Sequence, residues 1–140
     1  MPFVDVNGFK AIERLPGWKG RYFHSASMTF AHYEFTAGSS IHEHFHPEEE
    51  VYEVIEGELQ VTIDGRSEIA RPGVVAIVPP NARHSVKALT DGRLIVVDHP
   101  ALSFETWMIG VVLRSPNGDL PSVESLAEND FIPPRCRAKS

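Results

Sequence analysis

With 140 residues, 42% of them apolar, the chain is long enough to bury one core and too short for two, so a single domain is expected. A formal charge of -6 argues against nucleic acid or an anionic membrane as partner, because no basic stripe is present to displace counterions from phosphates. The one cysteine, Cys136, excludes an internal disulfide and zinc-ribbon chemistry, and reads as an exposed thiol.

The first residues, Met1 to Gly8, lack a charged segment followed by an apolar one, and no apolar run approaches membrane-spanning length. The expectation is a cytoplasmic protein that binds a small molecule. Residues 1–27, broken by Gly8, Pro16, Gly17 and Gly20, read as an entry segment of irregular chain or short strands without function. Regular alternation begins at Met28. Phe30, His32 and Glu34 share its face, while Thr29, Ala31, Tyr33 and Phe35 share the other, which is the period of a strand. The β-branched runs 51–55 and 59–63 are parted by Glu56 and Gly57, and Asp64-Gly65 is a two-residue hairpin turn into 66–70. Arg71-Pro72-Gly73 turns the chain into 74–78. Pro79, Pro80 and Asn81 end that run, His84 opens the next, and Asp91-Gly92 leads into 94–98. With 11 prolines and 10 glycines scattered between short apolar runs, the chain is all-β and antiparallel, and its many strands must close or fold over one another to hide their edges.

The chemistry gathers between Gly38 and Gly57, which enclose His42, His44, His46, Glu48, Glu49 and Glu50. On an extended chain His44 and His46 leave the same face, and Glu50, at even spacing, joins them. Tyr52 and Val54 follow on that parity, and His84 brings Val86 and Ala88 to the cavity from another strand. A nitrogen-rich, thiolate-free set of three imidazoles and one carboxylate suits a divalent transition metal, with Fe, Mn, Ni, Co and Zn left open. Two positions of an octahedral ion would remain for substrate or dioxygen.

These residues also carry a resemblance. Gly38, His44, His46, Glu50 and Gly57 fall at the spacing of the first cupin motif, and Gly73, Pro79 and His84 at that of the second, over roughly residues 28–100. The second motif departs at Asn81 and Ala88, where Gly and Asn are usual. The resemblance implies a double-stranded β-helix, or jelly-roll barrel, in which His44, His46, Glu50 and His84 are metal ligands. It also implies a homodimer. The run from Glu56 to Pro100 is similar to that of small cupins that open or isomerise unsaturated sugar acids, as in pectin degradation, although Ala101, Leu102 and Ser103 stand where an arginine is usual.

Other candidates rest on position. His42 shares the parity of His44 and would be a proton donor or acceptor in the cavity, or else a solvated loop histidine. Arg83, beside His84, would hold a substrate carboxylate or form a surface ion pair. Glu48 and Glu49 read as an acidic rim, with orientation of an imidazole as the alternative. His24, His32 and His99 have no ligand spacing and read as structural. Residues 104–113 are too apolar to hang in water, so part of the 101–140 extension should dock, with the last ~15 residues poorly ordered. The functional expectation is a metal-dependent isomerase or lyase on a small oxygen-rich substrate. The alternatives are an Fe(II) dioxygenase and a non-catalytic binding or sensor module.

Overall fold

The structure, a computed structural model, describes residues 3–102. Among them are ten strands and one short 3-10 turn: β1 Ile12–Leu15, β2 Trp18–His24, β3 Thr29–Phe35, β4 Ser40–His44, β5 Glu49–Glu56, β6 Leu59–Ile63, β7 Arg66–Ala70, β8 Ala76–Val78, β9 His84–Ala88 and β10 Gly92–His99. They form two sheets, ordered β1-β2-β3-β10-β5-β8 and β4-β9-β6-β7. Every strand pair is antiparallel. Each sheet is apolar on the side facing the other, as in the expected jelly roll. No helix among the described residues is long and apolar enough to cross a membrane.

The alternation expected from sequence sets the core. Thr29, Ala31 and Phe35 on β3, Tyr52 and Val54 on β5, and Leu94 and Val96 on β10 are buried in the six-stranded sheet. Leu59 and Val61 on β6, with Val86 and Ala88 on β9, face them from the other sheet. The register stacks these residues in rows: Glu50 lies opposite Asp98 and Asp98 opposite Thr29, while Tyr52 lies opposite Val96 and Val96 opposite Ala31. The segment read as an entry does more than lead in. β2 pairs with β3 along its whole length, and Trp18 and Tyr22 are buried.

Turn chemistry fixes the connections. Asp64 and Gly65 both have positive φ, 48° and 83°, the signature of a type I′ hairpin, whose twist matches that of its strands. Gly57 has φ 88°, and a Cβ there would strike the Asp91 carbonyl and Thr90 Oγ1. Residues 104–113 and Cys136 lie outside the described residues. Leu102, the last described, packs against the core, and its backbone N–H donates to Thr29 Oγ1 at 3.0 Å.

Candidate metal centre

The site forms where the chain crosses from one sheet to the other. On β4, Ile41 lies opposite Val86 and His44 opposite His84, so three steps on β4 match two on β9. That bulge turns Ile41 and His44 to the same side although they are three apart in sequence. His44 closes β4, His46 sits in the crossing turn, Glu50 lies on β5 and His84 opens β9. The turn is braced from the Pro79–Asn81 side, where the Asn81 N–H donates to the His46 carbonyl at 2.8 Å. Asn81 holds φ 65°, a left-handed conformation that asparagine tolerates better than most residues other than glycine.

The four side chains converge. Ring centroids of His44 and His84 are 4.1 Å apart, those of His46 and His84 4.9 Å, and those of His44 and His46 5.7 Å. One ligand nitrogen from each histidine lies within 4.8 Å of the others. Glu50 Oε2 is 2.6 Å from His46 Nε2 and 3.9 Å from His84 Nε2. Asp98 joins from β10, within 4.8 Å of His46 and Glu50.

Each imidazole is oriented by a nearby carbonyl: Nδ1 of His44 on His42 O at 2.8 Å, of His46 on Glu48 O at 3.0 Å, and of His84 on Ala82 O at 2.8 Å. A carbonyl only accepts, so Nδ1 carries the proton in all three rings. In His44 and His84 the metal-binding lone pair is then left on Nε2, whereas Nε2 of His46 donates to Glu50 Oε2 at 2.6 Å and would give up that proton to bind a metal. The Nε2 of His84 is buried with no hydrogen-bond partner. A buried nitrogen acceptor left unpaired costs about 1–3 kcal/mol, and a divalent cation is the group that this donor set would satisfy.

The protonation pattern readies two of the three imidazoles for that cation. Burial and the neighbouring His84 imidazole lower the pKa of His44 to about 4, and burial lowers that of His84. Both are therefore neutral near pH 7. Burial also pulls His46 down, but its hydrogen bond and charge contact with Glu50 prevail and raise it. Glu50 resists its own burial through hydrogen bonds from His46 and Asp98, which hold it below the usual carboxylate range. Asp98 is raised well above that range by burial and by the charge of Glu50, so it stands as a neutral acid beside a carboxylate. Burial and Glu50 likewise raise Tyr52, a further hydrogen-bond partner of Glu50.

A cavity of about 100 Å³ opens on this cluster. His44, His46, Glu50 and Asp98 line its polar part, Ile41, Leu94, Val96 and Leu102 its apolar wall, and the hydroxyls of Tyr22 and Tyr33, 3.2 Å apart, a second polar spot. A larger hollow of about 350 Å³ lies between β7 and residues 74–79 and contains none of the clustered histidines. The chemistry therefore belongs to the smaller one.

Two positions depart from the sequence reading. The bulge cancels the parity that put His42 with His44: Ile41, not His42, lines the cavity. Arg83 alternates outward from His84, with its side chain 62% exposed, 4.0 Å from Glu43 and 5.0 Å above the Phe45 ring, so it has the surface role and does not reach the cavity. Glu49 is exposed, but Glu48 is 4% exposed, and its carbonyl orients His46. Asp98 was missed. Carrying the inward parity of Leu94 and Val96 two residues further would have found it.

The Cupin domain family model matches residues 31–100. Among solved structures the chain is similar to an RmlC-like cupin from Shewanella frigidimarina, at 25% identity and a TM-score of 0.67 over 72% of this chain and 92% of that one. It is similar to KdgF from Halomonas at 21% identity and a TM-score of 0.66, over 70% of this chain and 92% of that one. It also resembles Bacillus subtilis oxalate decarboxylase, a protein with Mn(II) centres, at 22% identity and a TM-score of 0.61, over 69% of this chain and 29% of that one. No curated protein matches in sequence. With half of its length matched by the family model and its two sheets shared with these structures, the chain belongs to the cupin domain family.

Proposed function

We propose that His44, His46, Glu50 and His84 hold one divalent transition metal, and that the protein is a metal-dependent isomerase or lyase acting on a small, oxygen-rich acid of the sugar-acid kind. The carrying observation is the set of three Nδ1–H groups tied to carbonyls, which leaves the Nε2 atoms converging on Glu50 with that of His84 unpartnered. A bound ion supplies Lewis acidity toward a substrate carbonyl or hydroxyl.

The remaining steps fall to the chain's own groups. Asp98 presents a protonated carboxyl at the cavity wall beside Glu50, placed to give a proton to a substrate oxygen and take one back. Ile41, Leu94, Val96 and Leu102 exclude water from that transfer. The Tyr22 and Tyr33 hydroxyls offer hydrogen bonds to substrate oxygens away from the metal ligands. The likeness of the run from Glu56 to Pro100 to pectin-degradation cupins supports the substrate class.

Metal analysis of untagged protein should find one ion per chain, and His46→Ala should lose it while keeping the fold. Turnover in a screen of keto and uronic acids should persist without oxygen. Oxygen consumption coupled to turnover would overturn the isomerase or lyase assignment, and turnover by metal-free protein would overturn the metal's role.

A further inference from the structure

β7 and β8 each end a sheet, and the larger hollow, about 350 Å³, lies between them. Its walls come from Val61 and Ile63 on β6 and from Ile69, Val74, Val75 and Ile77. The last four are among the nine large apolar side chains that stand exposed in the described residues. Apolar side chains scattered singly over a surface need no partner, but a cluster of them marks a place that something covers. The turn at 71–74, where the Val74 N–H donates to Arg71 O at 2.8 Å, closes one end of the hollow. The other end, between the hairpin at 63–66 and Pro79, opens at the same end of the sandwich as the metal centre, since Ile63 lies opposite His84 and Val78 opposite Glu50. Arg66 and Glu68 share the inward parity of Ile63 and Val61 yet are exposed, joined at 3.2 Å on the rim. Inward charges on an edge strand deter foreign strands, so the occupant must bring charge to match them.

We infer that the hollow is filled by residues 104–113 of the same chain, laid antiparallel to β8. The reach fits. Thr29, Asp98, Glu50 and Val78 form one row across β3, β10, β5 and β8, so Leu102, held by Thr29, is three strand spacings from the mouth, about 14 Å. Five residues of extended chain span about 16 Å, which brings Trp107 to the mouth. From there residues 107–111 match the five residues of β7 in length. Entry at the Arg66 end carries the segment toward Ala70, against the direction of β8, in keeping with sheets whose every pair is antiparallel. On an extended chain Trp107, Ile109, Val111 and Leu113 leave one face as an unbroken apolar set. A cavity of ~150 Å³ takes a benzene ring, so the hollow has room for more than one of them. Glu105, two residues ahead of Trp107, arrives beside Arg66 with the opposite charge. So short a tether holds the segment at an effective concentration in the millimolar range, ahead of a second copy or any other partner in solution.

Trp107 reports the docking. Trp18 is the only other tryptophan, so the emission of the full chain less that of Trp107→Phe belongs to Trp107. It should lie to the blue and resist quenching by acrylamide. Val75→Glu, in the wall of the hollow, should move it to the red and open it to the quencher, whereas Lys19→Glu, on β2, should change neither. Val75 is 44% exposed, so Val75→Glu keeps the fold, which circular dichroism checks. From the other side, Ile109→Asp should let an apolar dye bind the hollow that wild type keeps closed, and should quicken amide exchange along β7 and β8. Trp107 open to acrylamide in wild type, or shielded but indifferent to Val75→Glu, overturns the inference. So does shielding that fades on dilution, the mark of a segment supplied by a second copy, and so does a wild type that binds the dye as well as Ile109→Asp.

Discussion

Replacing His84 by leucine separates what the imidazole does for folding from what it does for a metal. In the metal-free chain His84 is 1% exposed, with Nδ1 bonded to Ala82 O and Nε2 unpartnered. Leucine removes the orphaned nitrogen, whose burial costs about 1–3 kcal/mol, but gives up a hydrogen bond worth about 1 kcal/mol and strands the Ala82 carbonyl. These effects offset, so the metal-free variant should unfold within about 1 kcal/mol of wild type. With metal the two diverge. An ion present at a thousandfold over its dissociation constant stabilises the folded state by about 4 kcal/mol. For a chain of this length that is a rise of about 12–16 °C in Tm. Thermal melts followed by circular dichroism, on chelator-treated protein with and without Co(II) or Zn(II), should show the rise in wild type and its loss in His84→Leu. An equal rise in both proteins, or none in wild type, refutes the assignment of His84 to the metal.

Three further outcomes follow from the same geometry. His44 has its folded pKa lowered from 6.5 to about 4, so the fold favours the neutral ring; its contribution to metal-free stability, read as the difference in urea midpoint between wild type and His44→Leu, should be full above pH 6.5 and decline as pH falls toward 4, and a difference that grows as pH falls would contradict this. Asp98→Asn keeps a donor for Glu50 but removes the transferable proton, and activity should fall by about 10²–10⁴-fold with metal content retained, whereas Asp98→Leu should weaken metal affinity by about 10–100-fold in a chelator competition. Arg83→Ala should leave turnover unaltered and stability within about 0.5 kcal/mol, and a large rise in KM would return Arg83 to the substrate.

The strands were legible because their signals are local. Alternation in 28–35 gave that strand's two faces, Asp91-Gly92 marked the turn into 94–98, and Asp64-Gly65 marked its hairpin. His44, His46, Glu50 and His84 were also legible, but for a different reason from the one that brings them together. Simple parity along one strand does not operate here, since β4 bulges before His44 and His46 lies past its end, in the turn braced by Asn81. The same bulge explains why His42 does not share the face of His44: an extra residue in one strand flips the face of what precedes it, and nothing in Ser40 or Ile41 announces it. Asp98 and Glu48 were obscured by a prior. Carboxylates are ordinarily exposed, and only the pairing of Asp98 opposite Glu50 shows why one of them stays neutral inside.

The four donors do not belong to one sheet. His44 and His84 come from the four-stranded sheet, Glu50 from the six-stranded one, and His46 from the chain that crosses between them. An ion at their centre would act as a rivet through the seam, tying two layers that otherwise adhere there through side-chain packing. Slow amide exchange at the mouth of the sandwich should then depend on the ion, and stripping it should loosen the seam before either sheet frays.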